Sequence, residues 1–491
     1  MKLVKGISVL SAAILLAACG GDDNDNDNSL SVPATYTFES KLIPGDSSVS
    51  HSGQATRHIL ISELKKLIGS PELQNVASKD AAMALLYKVY SVGTYTDEVG
   101  DLTEFNIYDD SASATPVGIS VKSTQGDPEV ALELVQTHYT DVSSEKNLQY
   151  KLAGVDNGLT HGEFIGWDVA ASSFEIPDGT GYETISGENS KPNALLTDWF
   201  LQIADLAVDG DPDTKFVTAE GLDLQQLVQK FLLGAVTYSQ AAEDYLKADK
   251  GLVKQNSAED KAGKAYTSLE HQWDEGFGYF GAAHDYNLYT DAENIAQQDN
   301  DTNLVDGEID LYSEYSFGHS VNAAKRDKGA TVATDFSKGA MDAFLTGRAL
   351  IQANYGTDPV LGEGYQAELV KLSKVALDNW EKAVAATVVH YINDVITDYS
   401  AYGTTSFNTA AEVLLAKHWS EMKGFALGLQ FRKGALISVE QLKAVHAAFG
   451  EAPALLNTDQ AAVDAYVAEL EGARAVIQTA YGFNADNVAN W

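Results

Sequence analysis

The stretch 365–395 constrains the fold most, because its larger apolar side chains recur every three or four residues. With one alanine in the series, they are Tyr365, Leu369, Leu372, Ala376, Trp380, Val384, Val388, Tyr391 and Val395. This spacing follows the 3.6-residue turn of an α-helix and predicts one long amphipathic helix. Similar patterns follow one another from about residue 222 onward. The chain also has only ten prolines in 491 residues, which agrees with a mainly helical protein.

Capping-box patterns predict where further helices begin. They occur at Ser257-x-x-Asp260, Thr409-x-x-Glu412 and Ser438-x-x-Gln441, and another helix is expected to begin near Pro192. Residues 93–190 differ, because they are rich in Gly, Asp, Ser and Thr and lack a sustained period. We therefore expect a mainly α fold, a large helical-bundle-like body over 34–491 with a loop-rich insertion around 93–190. This body is either one domain or two packed bundles, about 34–355 and 356–491.

The first residues indicate export. Lys2 and Lys5 precede a short apolar run, which is too short to span a bilayer, and the stretch Leu16-Ala-Ala-Cys19 resembles a bacterial lipobox. We expect residues 1–18 to be a lipoprotein signal peptide and Cys19 to carry the lipid that anchors the protein to the membrane. Gly20 favours the outer membrane by resemblance to lipoprotein sorting rules, and the periplasmic and cell-surface faces both stay open. Residues 19–33 are predicted to be a disordered acidic tether.

The charge and the cysteine count exclude several classes of function. The formal charge is −37, and such an acidic chain lacks the clustered cations that a nucleic-acid backbone needs. We therefore expect no nucleic-acid partner. Cys19 is the only cysteine, so the chain has neither disulfides nor a cysteine nucleophile within the folded body.

Two stretches carry a histidine with a carboxylate one helical turn later. They are His271-Gln-Trp-Asp274-Glu275 and His418-Trp-Ser-Glu421. Residues three or four apart share one face of a helix, and two such helices can build a metal site with nitrogen and oxygen ligands. Iron or another transition metal is the predicted cofactor. The alternative is a buried polar network in which each histidine bonds to a carboxylate. Glycines follow both stretches, which predicts close backbone approach there.

Two acidic stretches resemble calcium loops. The first places Asp209, Asp211, Asp213 and Glu220 at the first, third, fifth and twelfth positions, with Thr214 where the pattern requires glycine. The second contains Asp301, Asp306 and Asp310 with a different spacing. Calcium binding and ordinary acidic loops both remain open for these stretches.

Several segments resemble the family known as domain of unknown function 4856. They are Ser52–His58, Lys230–Ala235, His271–Gly281, Asn322–Asp327 and His418–Phe425. The resemblance implies a bacterial lipoprotein without a settled activity, of a kind that accompanies imelysin-like proteins, which are exported helical bundles connected with iron acquisition. The imelysin-like motif Gly-x-His-x-x-Glu is matched only in part, because Ala416 and Leu269 stand where it has glycine.

The leading hypothesis is a non-enzymatic, outer-membrane-anchored protein that takes part in iron or metal acquisition. His271, Asp274, Glu275, His418 and Glu421 would bind the metal, and an outer-membrane transporter or an imelysin-like protein would be the partner. One alternative is a metal-dependent hydrolase with Glu275 or Glu421 as general base. The other is a structural or partner-binding lipoprotein without a metal. Lys325 and Arg326 could fix a carboxylate-bearing ligand or pair with nearby acids. His-Glu-x-x-His, Gly-x-Ser-x-Gly and phosphate-loop signatures are absent from the sequence.

Overall fold

The computed structural model describes residues 30–92, 133–136, 139–143, 146–169, 191–210, 214, 216–296, 308–404, 406–455 and 459–491. The α-helices there are α1 (Ser52–Ile68), α2 (Pro71–Gln74), α3 (Lys79–Tyr87), α4 (Tyr139–Val142), α5 (Lys191–Asp209), α6 (Leu224–Leu232), α7 (Ser268–Phe280), α8 (Asp291–Ala296), α9 (Gly318–Lys328), α10 (Phe336–Ala353), α11 (Gly364–Tyr399), α12 (Thr409–Gly428), α13 (Val439–Phe449), α14 (Gln460–Tyr481) and α15 (Ala485–Asn490). Two short strands, β1 (Glu133–Leu134) and β2 (Glu308–Ile309), pair in parallel. The prediction of a mainly helical protein is confirmed.

The long helix predicted over 365–395 is α11, which begins at Gly364 and ends at Tyr399. It packs against α9, α10, α12 and α14. Its apolar stripe is buried around Trp380, Val384 and Val388. Full burial of a valine side chain or a larger apolar one stabilises the fold by roughly 1.5–3 kcal/mol. α11 is therefore a central helix of the core.

The start of α13 is predicted correctly, and the start of α7 is not. Ser438 and Gln441 form the expected capping box at α13. Ser257–Asp260 is not helical, and the Ser268 hydroxyl donates to Asp260 at 2.6 Å. The helix α7 begins later, where Thr267 and Glu270 form their own capping box. The pattern S/T-x-x-acid marks a helix only where an apolar period follows, and none follows Ser257.

The cap of α12 lies one residue before the predicted Thr409. The Asn408 side chain accepts hydrogen bonds from the amides of Ala410 at 3.1 Å and Ala411 at 3.3 Å. Asparagine is among the strongest N-cap residues, so the helix begins where Asn408 satisfies its first free amides.

Close backbone approach at the glycines of α12 is predicted from the sequence, and the partner in the structure is α6 with its continuation. α6 continues beyond Leu232 as π-helical turns over Leu233–Tyr238 and Ala241–Tyr245. A Cβ atom on Gly234 would lie 2.4 Å from the Cα atom of Gly428, so the two backbones touch. A Cβ atom on Gly424 would lie 2.7 Å from Cβ of Lys230. The same prediction is confirmed at α7, where Gly278 faces His51.

Several predictions fall on parts of the chain that the structure does not describe. The signal peptide, Cys19 and residues 19–29 of the tether lie outside the described residues, as does much of 93–190. The described parts of 93–190 contain β1, α4 and a short 3₁₀ turn, Gln149–Lys151. Residues Val32–Trp491 form one compact unit, and the division near residue 356 stays a prediction. Among the helices described, none combines the length and the apolar composition that crossing a membrane requires.

Candidate functional site

Asp274, from the first histidine stretch, faces a buried arginine. Its Oδ1 accepts a hydrogen bond from Arg348 Nε on α10 at 2.8 Å and another from the Tyr36 hydroxyl at 2.8 Å. Its Oδ2 accepts from the amide of Ser50 at 3.1 Å. Both carboxylate oxygens of Asp274 are therefore occupied by protein donors.

All three guanidinium nitrogens of Arg348 donate hydrogen bonds to protein groups. Its Nη1 donates to Glu270 at 2.9 Å, and its Nη2 donates to the Ser48 hydroxyl at 2.7 Å. Burial raises the pKa of Asp274 to about 6, although the charge of Arg348 opposes this. We call Arg348, Glu270, Asp274, Tyr36 and Ser48 the Arg348 network. It joins α7 and α10 to the segment before α1.

His271 and Glu275 have other neighbours. The carbonyl of Ser50 only accepts, so His271 Nδ1 donates to it, at 3.0 Å. The imidazole stacks on Tyr266 with ring centroids 4.7 Å apart, and its Nε2 lies 3.8 Å from Glu275 Oε1. Gln54 Nε2 donates to the same carboxylate oxygen at 2.9 Å. The pair is half-buried, and protein groups already contact it.

His418 and Glu421, from the second stretch, point to separate partners on α11 and α6. His418 Nδ1 lies 2.8 Å from Asp398 Oδ2. Burial alone would lower the pKa of His418, but the hydrogen bond and charge of Asp398 outweigh burial and raise it. Glu421 Oε1 lies 3.3 Å from Lys230 Nζ, and the Tyr391 hydroxyl also bonds to Glu421.

The five predicted metal ligands therefore do not share one set of partners: Asp274 faces Arg348, Glu421 faces Lys230, and the two histidines bond elsewhere. α7 packs against α1 and α10, whereas α12 packs against α6 and α11. Within the described residues, no three His, Cys, Asp or Glu side chains are arranged to hold a metal ion. Helical spacing places a histidine and an acid on one face, but it does not decide what that face meets. Binding of iron or another transition metal stays a prediction.

The two calcium predictions are only partly within the described residues. Asp209 is exposed at the end of α5, and Glu220 is exposed in a turn. Both carboxylate oxygens of Asp310 accept hydrogen bonds, from Gln136 and the amide of Tyr312 on one and from Ser313 on the other. The other residues of these stretches, Asp211, Asp213, Asp301 and Asp306, lie outside the described residues. Calcium binding stays a prediction.

Glu421 lies within a group of cations that come from four helices. We call this group the cation cluster; it consists of Lys65 on α1, Lys230 on α6, Lys325 and Arg326 on α9, and Lys417 on α12. Burial, and then the charge of Lys230, lower the pKa of Lys65 to about 8. Burial, and then the charges of Lys230 and Arg326, lower the pKa of Lys325. The cations are thus close enough to disfavour one another's charge.

Arg326 is the most deeply placed member of α9 in this cluster. It is 9% exposed, and its Nε has no hydrogen-bond partner among the residues that the structure describes. Burial lowers the pKa of Arg326, whereas Tyr391 and Asp394 raise it. A buried guanidinium N–H without an acceptor costs about 1–3 kcal/mol or more.

The sequence hypothesis missed Arg348 and Lys230. The available signal was a lone cation in an apolar helix, as at Gly347-Arg348-Ala349-Leu350-Ile351. A charge among such neighbours is expected to be buried and therefore paired. The sequences of α7 and α12 themselves do not indicate that Arg348 and Lys230 are the partners.

Three of the segments that carry the family resemblance meet at the cation cluster. Lys230 begins the first, Lys325 and Arg326 belong to the second, and His418 and Glu421 belong to the third. No curated protein and no solved structure shows a significant match to the chain. The expected association with imelysin-like proteins stays a prediction. Residues 201–376 match the family described as "Domain of unknown function (DUF4856)", so this segment of the chain is similar to that family.

Proposed function

We propose that this protein is an exported, lipid-anchored binding protein whose ligand is a small molecule with several negative charges. The ligand would contact the cation cluster, and the protein would act in uptake without catalysing a reaction. The observation that carries this proposal is the grouping of Lys65, Lys230, Lys325, Arg326 and Lys417 in a chain whose formal charge is −37. Cations that lie together repel one another, and an anionic ligand would offset this repulsion.

The state of these side chains supports an anion as the missing partner. Burial and the charge of Lys230 lower the pKa of half-buried Lys65, so its charged form is held at a cost, and the pKa of Lys325 is lowered by the same causes although this residue is exposed and a ligand can reach it. A carboxylate group beside them would favour the charged forms and recover that cost. Arg326 Nε would gain an acceptor, and hydrogen bonds between guanidinium and carboxylate are among the stronger ones in proteins.

A metal cargo would then be bound as an anionic chelate. The described residues offer no group of three or more metal-ligating side chains, so a bare ion would meet at most two such side chains in one place. A chelator with several carboxylates supplies those ligands itself and leaves negative charge for Lys325 and Arg326. This form of the proposal keeps iron acquisition as the role, with export and anchoring through Cys19.

Calorimetric titration of the purified protein tests the proposal, with citrate, ferric citrate and inorganic phosphate as probes. We expect citrate and ferric citrate to bind more tightly than phosphate. Arg326→Gln and Lys325→Gln should each weaken citrate binding about tenfold or more, which corresponds to about 1.4 kcal/mol. The matched control is Lys371→Gln on α11, because Lys371 is 70% exposed and lies in a simple pair with Glu368.

Two outcomes would contradict the proposal. One is the absence of citrate and ferric citrate binding by the parent protein. The other is equal binding by Arg326→Gln, Lys325→Gln and Lys371→Gln. Uptake of free ferric ion that His271→Ala or His418→Ala abolishes would instead restore the original metal-ligand hypothesis.

A further inference from the structure

A cavity of about 310 Å³ lies between α12 and α13, apart from the cation cluster. Its wall contains Ile165 and Gly166, Lys423 of α12, His446 and Ala447 of α13, and Glu451 beyond α13. Lys443 also lines the cavity, and both Lys443 and Ala447 are exposed, so the cavity opens to the surface beside them. The volume is at the lower end of small-molecule sites.

Lys423 is a fully buried cation in this wall. Its Nζ donates to the carbonyl of Gly450 at 2.5 Å and lies 5.5 Å from the ring of Trp167. Burial lowers the pKa of Lys423 to about 7, and the charge of Glu451 opposes this. An ammonium group has three N–H donors, so this carbonyl leaves donor capacity for a ligand.

Neither ring nitrogen of His446 makes a hydrogen bond of normal geometry to the described residues, and the side chain is only 5% exposed; the backbone of Ala426 lies near enough to interact with the imidazole. Burial, and then the charge of Lys423, lower the pKa of His446 well below its ordinary value. Buried polar side chains nearly always have a hydrogen-bond partner, and the Ala426 backbone can serve only one ring nitrogen, so the other nitrogen is left for a ligand in the cavity.

The wall that faces His446 is fixed by the protein. Gly166 has a φ of +94°, and a Cβ atom there would lie 2.6 Å from the imidazole, so the backbone contacts the ring directly. The side-chain amide of Gln430 holds the same segment through two hydrogen bonds. Its oxygen accepts from Ile165 N at 2.8 Å, and its nitrogen donates to Ile165 O at 3.0 Å. The imidazole is thus positioned before any ligand arrives.

The remaining charges of the cavity are already engaged. Lys443 pairs with Glu163 at 2.7 Å, and Glu451 accepts a hydrogen bond from the amide of Asp168 at 2.9 Å. Lys423 and His446 therefore provide the free donors, and Ile165 and Ala447 provide apolar surface. We propose that the cavity is a second ligand site, which binds a small aliphatic monocarboxylate with its carboxylate group between Lys423 Nζ and the His446 ring.

Binding at this site should take up protons. A carboxylate favours the charged forms of Lys423 and His446, both of which are held partly or wholly neutral in the free protein. The affinity should therefore rise as the pH falls from 8 to 6. A merely steric or hydrophobic site would not show this dependence.

Titration calorimetry with butyrate tests the inference, with butyramide as the uncharged probe of the same shape. We expect butyrate to bind and butyramide not to bind. The affinity should rise toward pH 6, and the measured heat should depend on the ionisation enthalpy of the buffer. Lys423→Met and His446→Gln should each weaken binding about tenfold or more.

Ala447→Leu provides a variant that fills the cavity mouth without changing a charge or a buried residue, so its folding should be unaffected. It should abolish butyrate binding while the melting temperature stays that of the parent. Lys325→Gln should leave butyrate binding unchanged, which separates this site from the proposed function. Equal binding of butyrate and butyramide, or retention of butyrate by Ala447→Leu and His446→Gln, would overturn the inference.

Discussion

The Arg348 network and the cation cluster are both built from charged side chains on packed helices, but they differ in how completely those charges are matched. In the network, one guanidinium meets two carboxylates, and its Nε, Nη1 and Nη2 all donate hydrogen bonds. In the cluster, Glu421 pairs with Lys230, but Lys230 and Arg326 still lower the pKa of Lys325, and Arg326 Nε has no partner in the described part of the chain. The first group is electrostatically closed, and the second is open.

This difference is the reason that we propose a ligand for the cation cluster and none for the Arg348 network. A closed buried network specifies which helices pack together, and it gains nothing from a ligand. An open, half-buried group leaves free energy that a ligand can recover. The histidine stretches therefore lead to different conclusions, because Asp274 belongs to the closed network and Glu421 to the open cluster.

The largest expected effect on stability follows from removing the arginine of the Arg348 network. Arg348→Met removes the only cation that faces Asp274 and Glu270 in the network, and it leaves two buried carboxylates there. We expect it to lower the free energy of unfolding by about 3–5 kcal/mol, measured by urea denaturation. Lys338→Met is the control, because Lys338 lies on the same helix but is exposed, and it should cost under about 0.5 kcal/mol. A small loss for Arg348→Met would show that the network is not closed.

A smaller effect concerns the pH dependence of the same network. The pKa of Asp274 is raised from 3.8 to about 6 in the folded protein. Between these values only the folded state holds the proton, so this group makes stability fall as the pH rises from about 4 to 6. Asp274→Asn cannot titrate and should gain about 3 kcal/mol relative to the parent over that range.

Urea denaturation at several pH values between 4 and 7 measures this difference. Asp464→Asn, on the exposed face of α14, is the matched control and should follow the parent at every pH. Parallel curves for the parent and Asp274→Asn would contradict the raised pKa.

The smallest expected effect concerns the stability of the open cluster. Lys325→Gln removes one of several repelling cations, so it should leave the free energy of unfolding unchanged or raise it by up to about 0.5 kcal/mol at low salt. Added salt should reduce any gain, because it screens partly exposed charges. A loss of stability clearly larger than that of Lys371→Gln would show that the charge of Lys325 is matched by protein groups. The cation cluster would then not differ from the Arg348 network.

The sequence was sufficient for the features that depend on neighbours along the chain. The spacing from Tyr365 to Val395 predicts α11, and the capping pair Ser438 and Gln441 predicts the start of α13. Gly424 and Gly428 predict a close backbone approach at α12, and the structure shows that the approaching element is α6 with its continuation. Each of these signals is local, since helix period, cap and glycine backbone are set within a few residues.

The candidate sites depend on partners far away in the chain. Tyr36 lies 238 positions before Asp274, and Arg348 lies 74 positions after it. Lys230 pairs with Glu421 across nearly two hundred residues. Helical spacing does not encode these contacts. The sequence therefore identified the charged residues of α7 and α12 but not the residues that they contact.

Glu421 and Lys423 stand two residues apart on α12, which places them about 160° apart around the helix axis. One therefore faces the cation cluster and the other the cavity, while Gly428 keeps the helix in backbone contact with Gly234. If ligands bind at both proposed sites, this helix links the two binding equilibria. A displacement of α12 by one ligand would change the affinity for the other, and thermodynamic reciprocity requires the factor to be the same in both directions.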